Sequence, residues 1–268
     1  MTDDAELDEL RFLTRALRAH VEWQAATGAT GLERATQETR ASGAPTSALS
    51  VEPSSGRAAP ASAPAPTVVA AQTVLAADAK LRLEVLAETV RSCTRCGLSQ
   101  HRKQTVFARG TGSSGLCFVG EGPGADEDAQ GLPFVGAAGQ LLDRMIAAMG
   151  LERDEVYVCN IVKCRPPDNR KPETDEMAAC MPYLNEQLEL IQPRVIVALG
   201  ATAVQGLFGT SEGITRLRGK WKQLRGQIDV MPTFHPAYLL RTPAAKREVW
   251  EDLQEVLRRL GRNAPARR

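Results

Sequence analysis

The sequence lacks a dominant charge: over 268 residues, 33 Lys and Arg stand against 32 Asp and Glu. The whole-chain balance therefore does not announce a polyanionic partner. No apolar run approaches the ~18 residues needed to cross a bilayer, which excludes a transmembrane helix. Basic residues are missing from the start, Met1-Thr2-Asp3-Asp4-Ala5-Glu6, where a secretory signal would carry them. A cytoplasmic protein is expected. Two phosphate-binding signatures are absent as well. Pro123 breaks the spacing of a dinucleotide fingerprint within Gly120-Glu121-Gly122-Pro123-Gly124, and no Gly-Lys-Ser/Thr closes that turn as in a Walker loop.

What is present centres on Gly115 to Gly139. Leu116-Cys117-Phe118-Val119 reads as a buried parallel strand, and the turn after it is rich in glycine. Open α/β sheets place their ligands at such carboxyl ends. Phe134, framed by Pro133 and Val135, is expected to be exposed and to stack on a flat ligand. A tight connection with no ligand is the plain alternative.

Residues 1–27 carry Leu7, Leu10, Leu13, Leu17 and Val21 at helical spacing. An amphipathic helix is expected there, with docking on the core, dimerisation and binding of a partner all open. Residues 28–77 are rich in Ala, Pro and Ser and are expected to form a disordered linker. From residue 78 to 262 strands and helices alternate, and residues 263–268 form a basic tail. Helices are expected near Asp78–Arg91, Ala137–Gly150, Glu173–Ile191 (interrupted at Pro182) and Pro243–Leu260. Strands are expected at Leu116, Val156–Val162, Pro193–Leu199 and Ile228–Met231, with a hairpin or loop over Gly213–Gly226. This alternation predicts a three-layer α/β/α sandwich around a central, mainly parallel four-stranded sheet.

Cys117 and Cys159 fall inside strand runs and read as buried thiols. Cys93, Cys96, Cys164 and Cys180 fall outside strands. Four such thiolates suit a tetrahedral zinc or an iron–sulfur cluster, and their spacing does not choose between them. Either would be structural, because four protein ligands leave no open position. Lys163, Arg165, Arg170 and Lys171 flank one loop, and Arg216, Arg218, Lys220, Lys222 and Arg225 fill another. Together they predict a phosphate-tracking rim. His235, one of three histidines, follows a strand. A histidine so placed commonly packs or caps, unless it lies beside the Gly120 turn. Asn160 falls in a strand, where a buried amide needs partners or a ligand.

GEGPGADEDAQGLPFVGAAG from Gly120, YVCNIVKCRPPDNRKP from Tyr157 and TFHPAYLLR from Thr233 occur in this order with the four cysteines. Together, from about Leu83 to Leu260, they resemble the family-4 iron–sulfur uracil-DNA glycosylases. The resemblance implies a DNA-repair enzyme that flips uracil out of single- or double-stranded DNA and hydrolyses its N-glycosidic bond, leaving an abasic site. It implies a [4Fe–4S] cluster on Cys93, Cys96, Cys164 and Cys180. Phe134 would stack on uracil, Asn160 would read its edge, and Glu121 and Gly122 would line the pocket. His235, with Asn169 and Glu121, would form the catalytic set, His235 stabilising the departing anion. Leu239, Leu240 and Arg241 would enter the minor groove. Gly122 stands where family members often carry alanine. A sister branch that bonds to the abasic sugar carries an Arg-Arg-Ile-His run, which is absent from Gly213–Gly226, so ordinary turnover is expected. The resemblance also implies a monomer, with a repair or replication partner as the expected ligand of the N-terminal helix. Two other readings stay open: a non-hydrolytic, polymerase-associated iron–sulfur module of the same superfamily, and a nucleotide-binding enzyme.

Overall fold

A computed structural model describes residues 68–265, with side chains from residue 78 onward. The expected amphipathic helix and most of the expected linker lie outside the described residues, as do the last three residues of the basic tail. Helix α1, Val68–Arg91, starts before the expected boundary near Asp78.

Five strands form one sheet: β1 Leu116–Gly120, β2 Tyr157–Asn160, β3 Val195–Leu199, β4 Lys222–Leu224 and β5 Ile228–Thr233, in the order β2-β1-β3-β5-β4. The first three in sequence and β5 pair in parallel. All residues of β1, β2 and β3 are buried, as a parallel sheet covered on both faces requires. The expected four strands are thus present, and the fifth is a correction. Lys222–Leu224 pairs antiparallel with β5. Arg225 and Gly226 turn at φ values of 53° and 68°, the left-handed pair that a tight hairpin turn needs. The sequence hid this strand because three residues carry no readable alternation. At the other end, β2 is bordered by Arg109, whose backbone exchanges hydrogen bonds with Val158 at 3.0 and 2.9 Å.

Helices cover both faces. Cys117, Val119, Cys159 and Ile196 face a core shared with α1 and with α4, Thr174–Ile191. Ala203, Val204 and Leu207 of α5, Ala201–Phe208, and Leu217 of the short α6, Ile214–Leu217, complete that layer. Leu116, Phe118, Val158 and Val197 face the opposite core, under Leu142 and Ile146 of α3, Ala137–Ala148, and Leu253 and Val256 of α8, Lys246–Arg259. The alternation within each strand splits its residues between the two cores. Helix α4 runs through Pro182 without the expected break. Proline removes one backbone donor, and the helix is anchored on either side by buried Cys180, Tyr183 and Leu184.

The carboxyl ends of β1, β2, β3 and β5 point the same way. Gly120 is in register with Asn160, and Leu199 with Thr233. The loops after β1, β2 and β5 therefore converge at one edge, where the strand order reverses around β1.

Candidate active site and cysteine cavity

A cleft of about 490 Å³ opens at that edge, within the ~300–1,000 Å³ range of small-molecule sites. Glu121, Gly122, Phe134, Asn160, Asn169, His235 and Arg241 all line it. Residues far apart in sequence are thus brought together, whereas Leu239 and Leu240 do not line this cleft.

The floor is built around Gly120. A Cβ there would lie 2.4 Å from the Asn160 Oδ1 and 2.6 Å from the Phe134 Cζ. Only glycine lets the amide and the ring approach this backbone. Asn160 sits at the last position of β2 and is 2% exposed. Its Oδ1 is buried with no hydrogen-bond partner. Orphaned buried acceptors are rare and costly, so this oxygen is an acceptor waiting for a donor.

Phe134 corrects one expectation: it is 5% exposed, not displayed on a loop. Its backbone holds φ 56°, a strained value for an aromatic residue. Glu127 holds the segment in place. One carboxylate oxygen accepts from the backbone N–H groups of Val135 and Gly136, each at 2.9 Å, and the other from Gly124 at 3.1 Å. It thereby ties the start of α2, Ala125–Gln130, to the start of α3. Next to it, Asp128 is 1% exposed and accepts from the backbone of Lys103 at 2.8 Å. In the sequence, Asp126-Glu127-Asp128 is simply an acidic run. The available signal was a capping glutamate three residues after Gly124.

His235 both caps and faces the cleft. Its Nδ1 accepts from the Ala237 N–H at 3.1 Å, at the start of α7, Pro236–Arg241. That bond leaves the ring proton on Nε2. Burial pushes the pKa down to about 4, with the Arg241 charge adding to the effect and Glu127 opposing it. The ring at neutral pH is an uncharged Nε2–H donor, lying 5.7 Å from the Phe134 ring, centroid to centroid.

On α7, Leu239 is 1% exposed and belongs to the core under α8. This overturns its expected place in the minor groove, because a helix cannot direct two consecutive residues to one side. Leu240, 44% exposed, and Tyr238 are the side chains presented outward. Gly122 has a reason of its own: a Cβ would meet the Val162 Cγ2 at 2.7 Å. Asn169 follows Asp168 in a loop with φ of 53° and 54°, and its Oδ1 accepts from Arg165 Nε at 2.8 Å.

The basic rim is smaller than expected. Lys163 is buried, Arg170 forms a bidentate pair with Glu176 at 2.7 and 2.8 Å, and Arg218 pairs with Asp252 at 2.7 Å. Arg225 pairs with Glu189 at 2.8 Å. Lys171 donates to the Gln205 side chain, and the Lys222 ammonium lies over the Phe208 ring. These cations are engaged within the protein, and of the expected rim Arg241 lines the cleft itself.

Cys93, Cys96, Cys164 and Cys180 line one cavity between α1 and α4. Arg102 donates to the Cys164 sulfur at 3.1 Å, and the Lys163 backbone N–H donates to the Cys180 sulfur at 3.3 Å. Such N–H donors stabilise thiolate sulfur. Burial pushes the Cys180 thiol up to about 11 in the absence of a metal, so a cation is needed to hold it as thiolate. Among the described residues, no three or more Cys, His, Asp or Glu are grouped to grip a single ion. Four cysteine sulfurs lining one cavity are a donor set that either zinc or an iron–sulfur cluster takes. Cys117 and Cys159 are buried in the sheet, as expected.

A family described as the uracil DNA glycosylase superfamily matches residues 107–254. The chain is 45% identical over 182 residues to the type-4 uracil-DNA glycosylase of Sulfurisphaera tokodaii, covering 65% of this chain and 83% of that protein. It is 46% identical over 177 residues to the type-4 uracil-DNA glycosylase of Thermotoga maritima, covering 65% and 92%. The corresponding protein of Saccharolobus solfataricus is 43% identical over 182 residues, covering 65% and 84%.

Proposed function

This chain belongs to the uracil DNA glycosylase superfamily and is a uracil-DNA glycosylase of DNA repair; from that premise we propose that it acts by base reading at Asn160 and leaving-group stabilisation at His235. The unpartnered Asn160 Oδ1 in the cleft floor carries this reading. It suits the N3–H of uracil, while the amide nitrogen suits O4. Phe134, held rigid by the Glu127 bonds, offers its ring to the base, and Glu121 and Gly122 line the wall.

Breaking the N-glycosidic bond leaves an oxocarbenium-like sugar and a uracil anion. The His235 Nε2–H donates to the carbonyl oxygen that gathers the negative charge. A neutral, pre-oriented donor in a dry site needs no reorganisation as charge develops. Asn169, its oxygen engaged by Arg165, directs N–H toward the sugar or the attacking water. Leu240 and Arg241, at the exposed edge of α7, would hold the duplex open after flipping; the cost of a few kcal/mol is offset by stacking on Phe134. DNA is the substrate, and no described helix is long and apolar enough to cross a membrane.

A [4Fe–4S] cluster would be held by Cys93, Cys96, Cys164 and Cys180. Bound there it would be structural, tying α1 to the loop that follows β2. The test has two parts. Protein purified without oxygen should be brown, absorb near ~400 nm and carry about four irons. It should also convert a uracil-containing oligonucleotide into an alkali-cleavable one. A colourless protein with one zinc would remove the cluster, and an alkali-stable oligonucleotide would remove the chemistry.

A further inference from the structure

Lys163 lies between the cleft and the cysteine cavity. Its side chain is 1% exposed and lines the cavity of the four cysteines. Its ammonium donates to the backbone carbonyl of Asn160 at 2.8 Å, and its backbone N–H to the Cys180 sulfur at 3.3 Å. Among the described residues no carboxylate stands within ion-pair distance of it. A buried ammonium with one carbonyl partner is uncompensated and costly. An iron–sulfur core held by four thiolates carries net negative charge and fills that deficit. Arg102 supplies a second cation, donating to the Cys164 sulfur at 3.1 Å and to the Cys93 carbonyl at 2.7 Å.

The carbonyl that Lys163 holds belongs to the residue whose amide oxygen is unpartnered in the cleft. We infer that Lys163 is a positioning residue that couples the cluster to base reading: the cluster's charge fixes the ammonium, and the ammonium fixes the peptide of Asn160. The inference rests on the cluster and on the base-reading role proposed above. It assigns the cluster a task in the chemistry without a redox step, since the link is electrostatic and mechanical. It also explains why a lysine stands directly before Cys164, where an apolar residue would be easier to bury.

The test is Lys163→Met in the holoprotein, read on three scales: iron content, reduction potential of the cluster and single-turnover uracil cleavage. Loss of a neighbouring positive charge disfavours the added electron, so the potential should move to a more negative value. Cleavage should fall by about 10–100-fold, the scale of residues that orient a site from behind. Unchanged cleavage overturns the coupling. Lost cleavage with an unchanged potential overturns it too, because that pattern marks an ordinary packing defect. If the variant fails to retain iron, the wild type decides. The Lys163 side-chain resonances should shift between the oxidised and reduced cluster, and resonances that ignore the cluster overturn the proposal. Wild-type protein without iron would sink the cluster reading itself. Full uracil cleavage by Asn160→Asp would instead remove the base-reading premise, with the potential shift left standing.

Discussion

At Asn160 the fold leaves an acceptor without a donor, a deficit that the proposed contact with uracil would fill. Asn160→Asp replaces the amide nitrogen with oxygen, which then faces uracil O4 acceptor to acceptor. Polar mismatches in a dry pocket reject a base strongly. Uracil cleavage should collapse in that variant, with weak cytosine cleavage emerging as the carboxylate accepts from the amino group. Single-turnover assays on both oligonucleotides, after iron content is checked, decide it; full uracil activity would show that Asn160 does not read the base. His235→Ala should lower single-turnover cleavage by roughly two to three orders of magnitude, the usual scale for a donor to developing negative charge. Substrate affinity should barely change, because the charge appears only in the transition state. A loss confined to binding would leave His235 as nothing more than the cap of α7.

Among the elements, the loop between α2 and α3 depends on Glu127. Glu127→Ala leaves three backbone N–H groups without their acceptor, at about 1–3 kcal/mol for each one left buried and unpaired. The thermal midpoint should drop, and cleavage should weaken because Phe134 leaves its strained conformation. A variant as stable and active as the wild type would mean that Phe134 holds itself. This element also separates what the sequence disclosed from what it withheld. The four parallel strands were legible, since Leu116–Val119 and its glycine turn carry a local signature, and the motifs named Asn160 and His235, which both line the cleft. Glu127 and Lys163 were not, because each looks like an ordinary surface charge until its backbone partners are seen. Leu239 was misassigned for a related reason: consecutive leucines share a motif but not a helix face. Arg170 and Arg218 read in the sequence as part of a phosphate-tracking rim, and only tertiary contact reveals the carboxylates that engage them.

Across the whole molecule, His235 links acid to unfolding. Its pKa is about 4 in the fold against 6.5 for a free side chain, so the fold disfavours the charged ring. The stability this neutral ring supplies is fully present above about pH 6.5 and is lost as pH falls toward 4, by up to about 3 kcal/mol. The thermal midpoint of the wild type should therefore fall more steeply over that window than that of His235→Asn, which keeps a capping oxygen. Parallel profiles would show that the ring is not held neutral. The edges of the sheet carry a different consequence. Arg109 occupies the open side of β2 through two backbone bonds, and β4 ends the other side after three residues that begin with Lys222. Neither rim offers a long bare ladder to a neighbouring copy. Among the described residues, the sheet thus offers a second copy no template on which to extend it by edge-to-edge pairing.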